Sequence, residues 1–174
     1  MINTFEIREV RKKEKRIDFD FFIDGKPLSN LLNINRFGLG YCDFDLDRFE
    51  VDKEMFPLYD RKKINTNSVL QFLGKIKPSN QFQTNRIVIY RCHCGCDYCG
   101  IISFRIEKEN DFIIWKDITY ENDDFLYKKG KLYKNDDFKN KECENEEIEP
   151  IIELKFDKKE YELEFEKYLK EYCA

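Results

Sequence analysis

Histidine is almost absent from this chain, and other residues with strong chemical signatures are scarce. Its 174 residues include one histidine, one tryptophan, two methionines, four prolines and seven glycines. With His93 as the only imidazole, a Ser-His-Asp triad or a multi-histidine metal enzyme can form only around that residue, and no nucleophile stands beside it in a recognisable motif. No run approaches the roughly 18 apolar residues that cross a bilayer, and Met1-Ile2-Asn3-Thr4-Phe5-Glu6 lacks the basic start and apolar core of a secretory signal. A cytoplasmic location is the expectation. Excess positive charge is missing too. A net charge of -4 and a pI near 5.3 argue against general nucleic-acid binding, which needs a basic surface to neutralise phosphates. The glycines of Arg36-Phe37-Gly38-Leu39-Gly40 belong to no phosphate-cradling pattern. Asp43-x-Asp45-x-Asp47 resembles half a calcium loop, but Arg48 stands at the sixth position, where such a loop needs glycine.

What the chain does have is aromatic and aliphatic mass set among charges. Hydrophobic residues make up 41%, aromatics 16% and charged residues 38%, with a mean hydropathy of -0.70. That combination describes a packed core under a heavily solvated surface, and the length suits one domain, residues 1-174.

The seven cysteines are odd in number and clustered, which disfavours a disulfide framework and fits reduced thiols. Cys92, Cys94, Cys96 and Cys99 fall within Arg91 to Gly100, between two β-rich runs, Arg86 to Tyr90 and Ile101 to Ile106. This pattern predicts a hairpin with a cysteine-and-glycine loop at its tip, where Gly95 and Gly100 supply the positive φ angles of a tight reversal. Three chemistries are open to these thiols. Zinc needs four ligands in a tetrahedron, commonly from two separate knuckles, so a site here would be expected to borrow Cys42 or Cys143. Cys96-Asp97-Tyr98-Cys99 is a Cys-x-x-Cys pair, but redox catalysis sets such a pair at a helix N-terminus, and a strand follows Cys99. In the third reading the thiols are small, reduced packing side chains at the tip.

Cys92-x-Cys94-Gly95-x-x-x-Cys99, the following strand with Trp115 and Asp117, and the early turn Ile23-Asp24-Gly25-Lys26-Pro27-Leu28 form a combination. It resembles a set of small bacterial proteins that carry a Cys-x-Cys-Gly-x-x-x-Cys hairpin. The resemblance covers roughly residues 3 to 32 and 86 to 120. This chain differs in adding Cys96, in placing Tyr98 before Cys99, and in extending well past Trp115. Some of those proteins sit beside polymorphic or contact-dependent toxins as immunity proteins, and others carry an oxidoreductase label. The resemblance implies a cytoplasmic, non-enzymatic protein without cofactor that neutralises one toxin domain, a nuclease, by occluding its active site.

Along the chain, Thr4 to Val10 and Ile17 to Ile23 alternate as two strands around a basic turn, Arg11 to Arg16, and Asp24-Gly25 marks a second turn. A short helix is expected over Pro27 to Leu32, with Leu28, Leu31 and Leu32 facing the core. Arg36 to Cys42 reads as a loop entering an edge strand. Thr66-Asn67-Ser68 is expected to cap a helix carrying Val69, Leu70, Phe72 and Leu73. Residues 86-118 form a three-stranded antiparallel meander, in which Ile102, Phe104 and Ile106 face the core and Ile101, Ser103 and Arg105 face outward or toward a second layer. Residues 121-150 are expected to hold a further hairpin. Asp157 and Glu160 then open a C-terminal amphipathic helix with the apolar stripe Tyr161, Phe165, Tyr168, Leu169 and Tyr172. The expected class is α+β: an antiparallel sheet covered by a few helices.

For a partner with a basic cleft, the candidate contact residues are the acidic cluster Glu144, Glu146, Glu147 and Glu149, together with Asp123, Asp124, Tyr127 and Tyr133. If that segment is not the contact, the hairpin surface around Cys92 to Gly100 is next. The competing expectations are a zinc-stabilised interaction module on Cys92, Cys94, Cys96 and Cys99, or a thiol-disulfide oxidoreductase using Cys96 and Cys99.

Overall fold

The computed structural model describes residues 1-13, 16-47, 60-128, 131-136, 139-142 and 152-174. Strand β1 (Phe5–Lys13) pairs antiparallel with β2 (Arg16–Ile23), from Phe5 opposite Ile23 to Lys13 opposite Arg16. The alternation in β2 buries Ile17, Phe19, Phe21 and Ile23, while Arg11, Lys12 and Lys13 lie exposed near the far end of the hairpin. Asp24 (φ 51°) and Gly25 (φ 77°) both take left-handed backbone, and this turn matches the twist of the strands it joins. It leads into β3 (Lys26–Pro27) and the single turn α1 (Leu28–Leu31). Leu28 and Leu32 are buried but Leu31 is exposed, contrary to expectation. One helical turn presents two positions about four residues apart to the core, and the residue between them faces water.

Strand β4 (Leu39–Cys42) is the expected edge strand, and β5 (Leu46–Asp47) returns to pair with β2. Helix α2 (Arg61–Phe72) starts earlier than its hydroxyl-rich stretch suggested. Asp60 is the cap, its carboxylate accepting from the Lys63 N–H at 3.1 Å. Thr66 and Ser68 are interior and donate their hydroxyls back to the carbonyls of Lys62 and Ile64, an arrangement that lets such residues sit inside a helix.

The meander is β6 (Ile87–Cys92), β7 (Ile101–Lys108) and β8 (Phe112–Glu121). With β4 beside β6 and β12 (Ile152–Asp157) beside β8, it becomes a five-stranded antiparallel sheet of order β12-β8-β7-β6-β4. A smaller sheet consists of β9 (Phe125–Lys128), β10 (Lys131–Asp136) and β11 (Lys139–Glu142). Helix α3 (Lys158–Tyr168) continues into a wider turn over Leu169–Cys173. The Asp157 carboxylate accepts from the N–H groups of Lys159 and Glu160. The class is α+β.

The two larger sheets, α2 and α3 share one aromatic core. Phe5, Phe21, Phe72, Phe104, Phe156 and Tyr161 surround Trp115, which is fully buried. The Trp115 indole N–H donates to the Tyr161 hydroxyl (3.1 Å), which donates to the Phe72 carbonyl (2.9 Å), so the polar atoms of both rings are satisfied inside the core. The stripe on α3 is as expected, with Tyr161, Phe165 and Tyr168 buried and Leu169 and Tyr172 packed against the cluster. On β7, Ile102 and Phe104 face this core and Arg105 is exposed. Ile101 and Ser103 are buried as well, within a second layer. There Arg86 pairs with Glu121 at 2.7 Å and donates to the Ser103 hydroxyl.

Candidate functional site

The cysteine hairpin closes where the Cys92 N–H donates to the Gly100 carbonyl (3.2 Å). Two tight turns follow in succession. In the first, the Gly95 N–H returns to the Cys92 carbonyl (2.9 Å), with Gly95 at φ 72°. The second is a 3-10 turn over Asp97–Cys99. Folding the loop back twice brings the sulphurs of Cys92, Cys94 and Cys99 within 4.8 Å of one another. The Cys94 and Cys99 sulphurs are 3.4 Å apart. Cys96 donates its N–H to the Cys94 sulphur (3.4 Å), while the converging sulphurs are those of Cys92, Cys94 and Cys99.

This geometry sorts the thiols electrostatically. The Cys96 N–H, and then the Cys92 and Cys99 thiols, lower the Cys94 thiol below its ordinary range. Hydrogen bonding to Cys94 and the nearby charge push Cys99 up to about 12. Of the pair anticipated for redox work, Cys96 and Cys99, Cys96 lies outside the converging set of sulphurs, and the turn after it is a single 3-10 turn rather than a helix with a useful dipole.

The tip is held from several sides. The Arg91 guanidinium grips the Asp43 carboxylate at 2.7 and 3.1 Å and also pairs with Asp97, which is fully buried. Asp97 and Gln81 bond reciprocally, the Gln81 N–H donating to Asp97 (2.7 Å) and the Asp97 N–H to the Gln81 side-chain oxygen (2.9 Å). Tyr98 projects from this braced turn with 46% of its surface exposed. Its hydroxyl donates to the Gln81 carbonyl (3.1 Å) and its ring meets the edge of Phe82 at 5.0 Å. His93, exposed, lies over Gly40 so closely that a Cβ there would sit 2.6 Å from the imidazole. Tyr120 packs against Gly100 in the same way and stacks on Phe37 at 4.2 Å.

The residues proposed from sequence are distributed unevenly around this tip. Asp123 and Asp124 are exposed and adjacent, since the Asp123 N–H donates to the Tyr98 carbonyl (3.0 Å). In the β9-β10 register, Tyr127 stands opposite Leu132 and Tyr133 opposite Leu126. Glu144, Glu146, Glu147, Glu149 and Cys143 lie outside the described residues. Cys42, considered as a borrowed zinc ligand, is instead buried in the core, where desolvation raises its thiol far above the ordinary range.

A second polar feature escaped the sequence reading. A recess of about 240 Å³ is lined by Asp18, Asp20, Ser29, Cys42, Asp45 and Tyr90, with Val10, Phe19 and Ile34 as apolar walls. Burial raises the Asp20 carboxyl, although Ser29, Tyr90 and the Phe21 N–H donate to it. Burial likewise pushes Asp45 up to about 6, against N–H groups from Phe19 and Cys42. The available signal was an aspartate inside an apolar run, Phe19-Asp20-Phe21. These acids are satisfied by the strands around them, so they tie β2, β4 and α1 together. Among the described residues no helix is long and apolar enough to cross a membrane. No family model matches this chain, and neither a curated protein nor a solved structure matches it.

Proposed function

We propose that this chain is a non-catalytic binding protein that inhibits a protein partner, using the end of the five-stranded sheet where the cysteine hairpin, the 79-84 loop and the 122-124 turn meet. The observation that carries this reading is Tyr98, a half-exposed aromatic ring standing on a turn braced by Arg91, Asp97 and Gln81. Rigid aromatic side chains that lose little entropy on binding are the usual anchors of protein interfaces. Asp123 and Asp124 beside it supply negative charge, which steers a basic partner and fixes its orientation. The resemblance in the cysteine hairpin and the early turn supplies the partner class, a bacterial toxin with a basic nuclease cleft, and places the inhibitor in the cytoplasm of the cell it protects.

Co-expression provides the test. The neighbouring open reading frame is expected to encode a nuclease toxin domain, and cells producing it should survive when the intact chain is present and lose protection with Tyr98→Ala. Protection undiminished by Tyr98→Ala combined with Asp123→Asn and Asp124→Asn would place the contact elsewhere. Failure of the intact chain to protect would remove the inhibitor reading.

A further inference from the structure

We propose that the hairpin tip is a zinc site in which Cys92, Cys94 and Cys99 supply three thiolates and Cys96 the fourth. The inference goes beyond partner binding and does not depend on it. Zinc bound to sulphur at about 2.3 Å in a tetrahedron requires sulphurs about 3.8 Å apart. The three thiols already lie between 3.4 and 4.8 Å of one another, so closing them on an ion takes movements of about 1 Å or less. The backbone accomplishes without strain what the spacing alone seemed to forbid. Left-handed Gly95 and the 3-10 turn make two reversals, so one short loop can supply every ligand.

The fourth position follows from where the neighbouring donors point. His93 is laid over Gly40 on the edge strand and is committed to that contact. Cys42 is in the core. Cys96 is half-buried and its sulphur lies outside the converging set of three, but its N–H is already on the Cys94 sulphur, so a rotation of its side chain is what would bring the fourth thiolate to the ion. That N–H is the kind of outer contact that orients a ligand and offsets the charge of a thiolate. Binding would release the thiol protons to solvent, leaving the ion in a four-thiolate set of net charge -2.

Two other uses of these residues fit less well. A packing role suits buried thiols, yet Cys94 and Cys99 are exposed. A Cys94–Cys99 disulfide would account for two of the four sulphurs and leave Cys92 and Cys96 without a purpose. The reducible arrangement in the structure is a 3.4 Å contact rather than a bond. The surroundings also suit a metal. Arg91, Asp43, Asp97 and Gln81 hold the loop in place before any ion arrives, which reduces the ordering that binding must supply.

The experiment uses the full chain, reduced, stripped with a chelator and titrated with zinc alone against a chromophoric competitor, then with cobalt as a spectroscopic probe. One zinc per chain is expected, and cobalt should show the intense visible bands of a tetrahedral centre with thiolate charge transfer in the near ultraviolet. Cys94→Ser and Cys99→Ser should each weaken zinc by about 100-fold or more, whereas Cys173→Ser, at the end of the last helical turn, should leave it unchanged. Circular dichroism of each variant separates loss of ligation from loss of fold. Cys96→Ser should weaken zinc and alter the cobalt spectrum, and an unchanged spectrum would overturn its place in the set. No saturable uptake by the reduced chain, or uptake indifferent to Cys94→Ser and Cys99→Ser, would overturn the site itself. Because no partner is present, a negative result here leaves the inhibitor reading standing, and loss of toxin protection leaves the zinc site standing.

Discussion

Replacing Phe104 with alanine tests whether the core has been correctly located. Phe104 is fully buried on β7, its ring stacked on Trp115 at 4.2 Å with 26° between the planes, and tilted against Phe72 at 5.3 Å. Truncating a buried phenylalanine costs about 3 to 5 kcal/mol, depending on how far the site can collapse. Collapse is restricted here. Trp115 is tied by its indole N–H to Tyr161, and Tyr161 to the Phe72 carbonyl, so the stacked Trp115 cannot move into the void without breaking a buried hydrogen bond. The stacked ring contributes about 0.5 to 1.5 kcal/mol beyond its area. The upper half of the range is therefore expected, about 4 to 5 kcal/mol. For a chain of this size that lowers the melting temperature by about 10 to 15 °C. Urea unfolding of both proteins, followed by tryptophan fluorescence from Trp115, measures it directly. A loss under about 1 kcal/mol would mean that the β7 register or the packing of α2 on the sheet is wrong.

Three further outcomes are expected. Tyr161→Phe keeps the ring but leaves the Trp115 N–H and the Phe72 carbonyl unpaired in the core, costing about 1 to 3 kcal/mol by urea unfolding. Asp45, pushed up to about 6 by burial, holds its proton more tightly when folded than when unfolded. Its contribution is fully present below about pH 4 and is lost as pH rises through about 6, so Asp45→Asn should flatten the stability change across that window by about 2 kcal/mol relative to wild type. Equal pH profiles for the two proteins would show that the carboxyl is not shifted. Asp97→Asn removes the buried charge that Arg91 and the Gln81 loop hold, so it should destabilise by about 3 kcal/mol and speed amide exchange at Gln81 and Cys99, while amides in the core strands change less.

Much of the fold is written in local patterns. The alternation of Ile17, Phe19, Phe21 and Ile23 marks β2, the stripe from Tyr161 to Tyr172 marks α3, and the hairpin tip is legible from glycine and cysteine between two β-rich runs. Local patterns are weakest where a residue's role is set by a distant partner. Thr66 and Ser68 look like caps because hydroxyls often are, but Asp60 takes that role and the hydroxyls are satisfied by carbonyls one turn back. For Ile101 and Ser103 the alternation left open an outward face or a second layer, and the Arg86 and Glu121 pair, distant in sequence, belongs to that second layer. At the site, spacing showed that the cysteines were close in sequence and could not show how the loop folds. Convergence of Cys92, Cys94 and Cys99 depends on two successive reversals held by Arg91 and by Gln81, residues 6 and 16 positions from Asp97. The exposed Tyr98 is visible as a residue, but the bonds that hold it in place are long-range.

Binding of this chain to the product of its neighbouring open reading frame, which the proposed role expects to be a toxin domain, measured by surface-based kinetics over a range of salt, tests that role most directly. A one-to-one complex is expected, with Tyr98→Ala weakening it by about 2 kcal/mol, near 30-fold. Asp123→Asn with Asp124→Asn should slow association at low salt and matter little at high salt. The absence of a complex, or a complex indifferent to all three substitutions, would contradict the assignment of this end of the sheet as the binding surface.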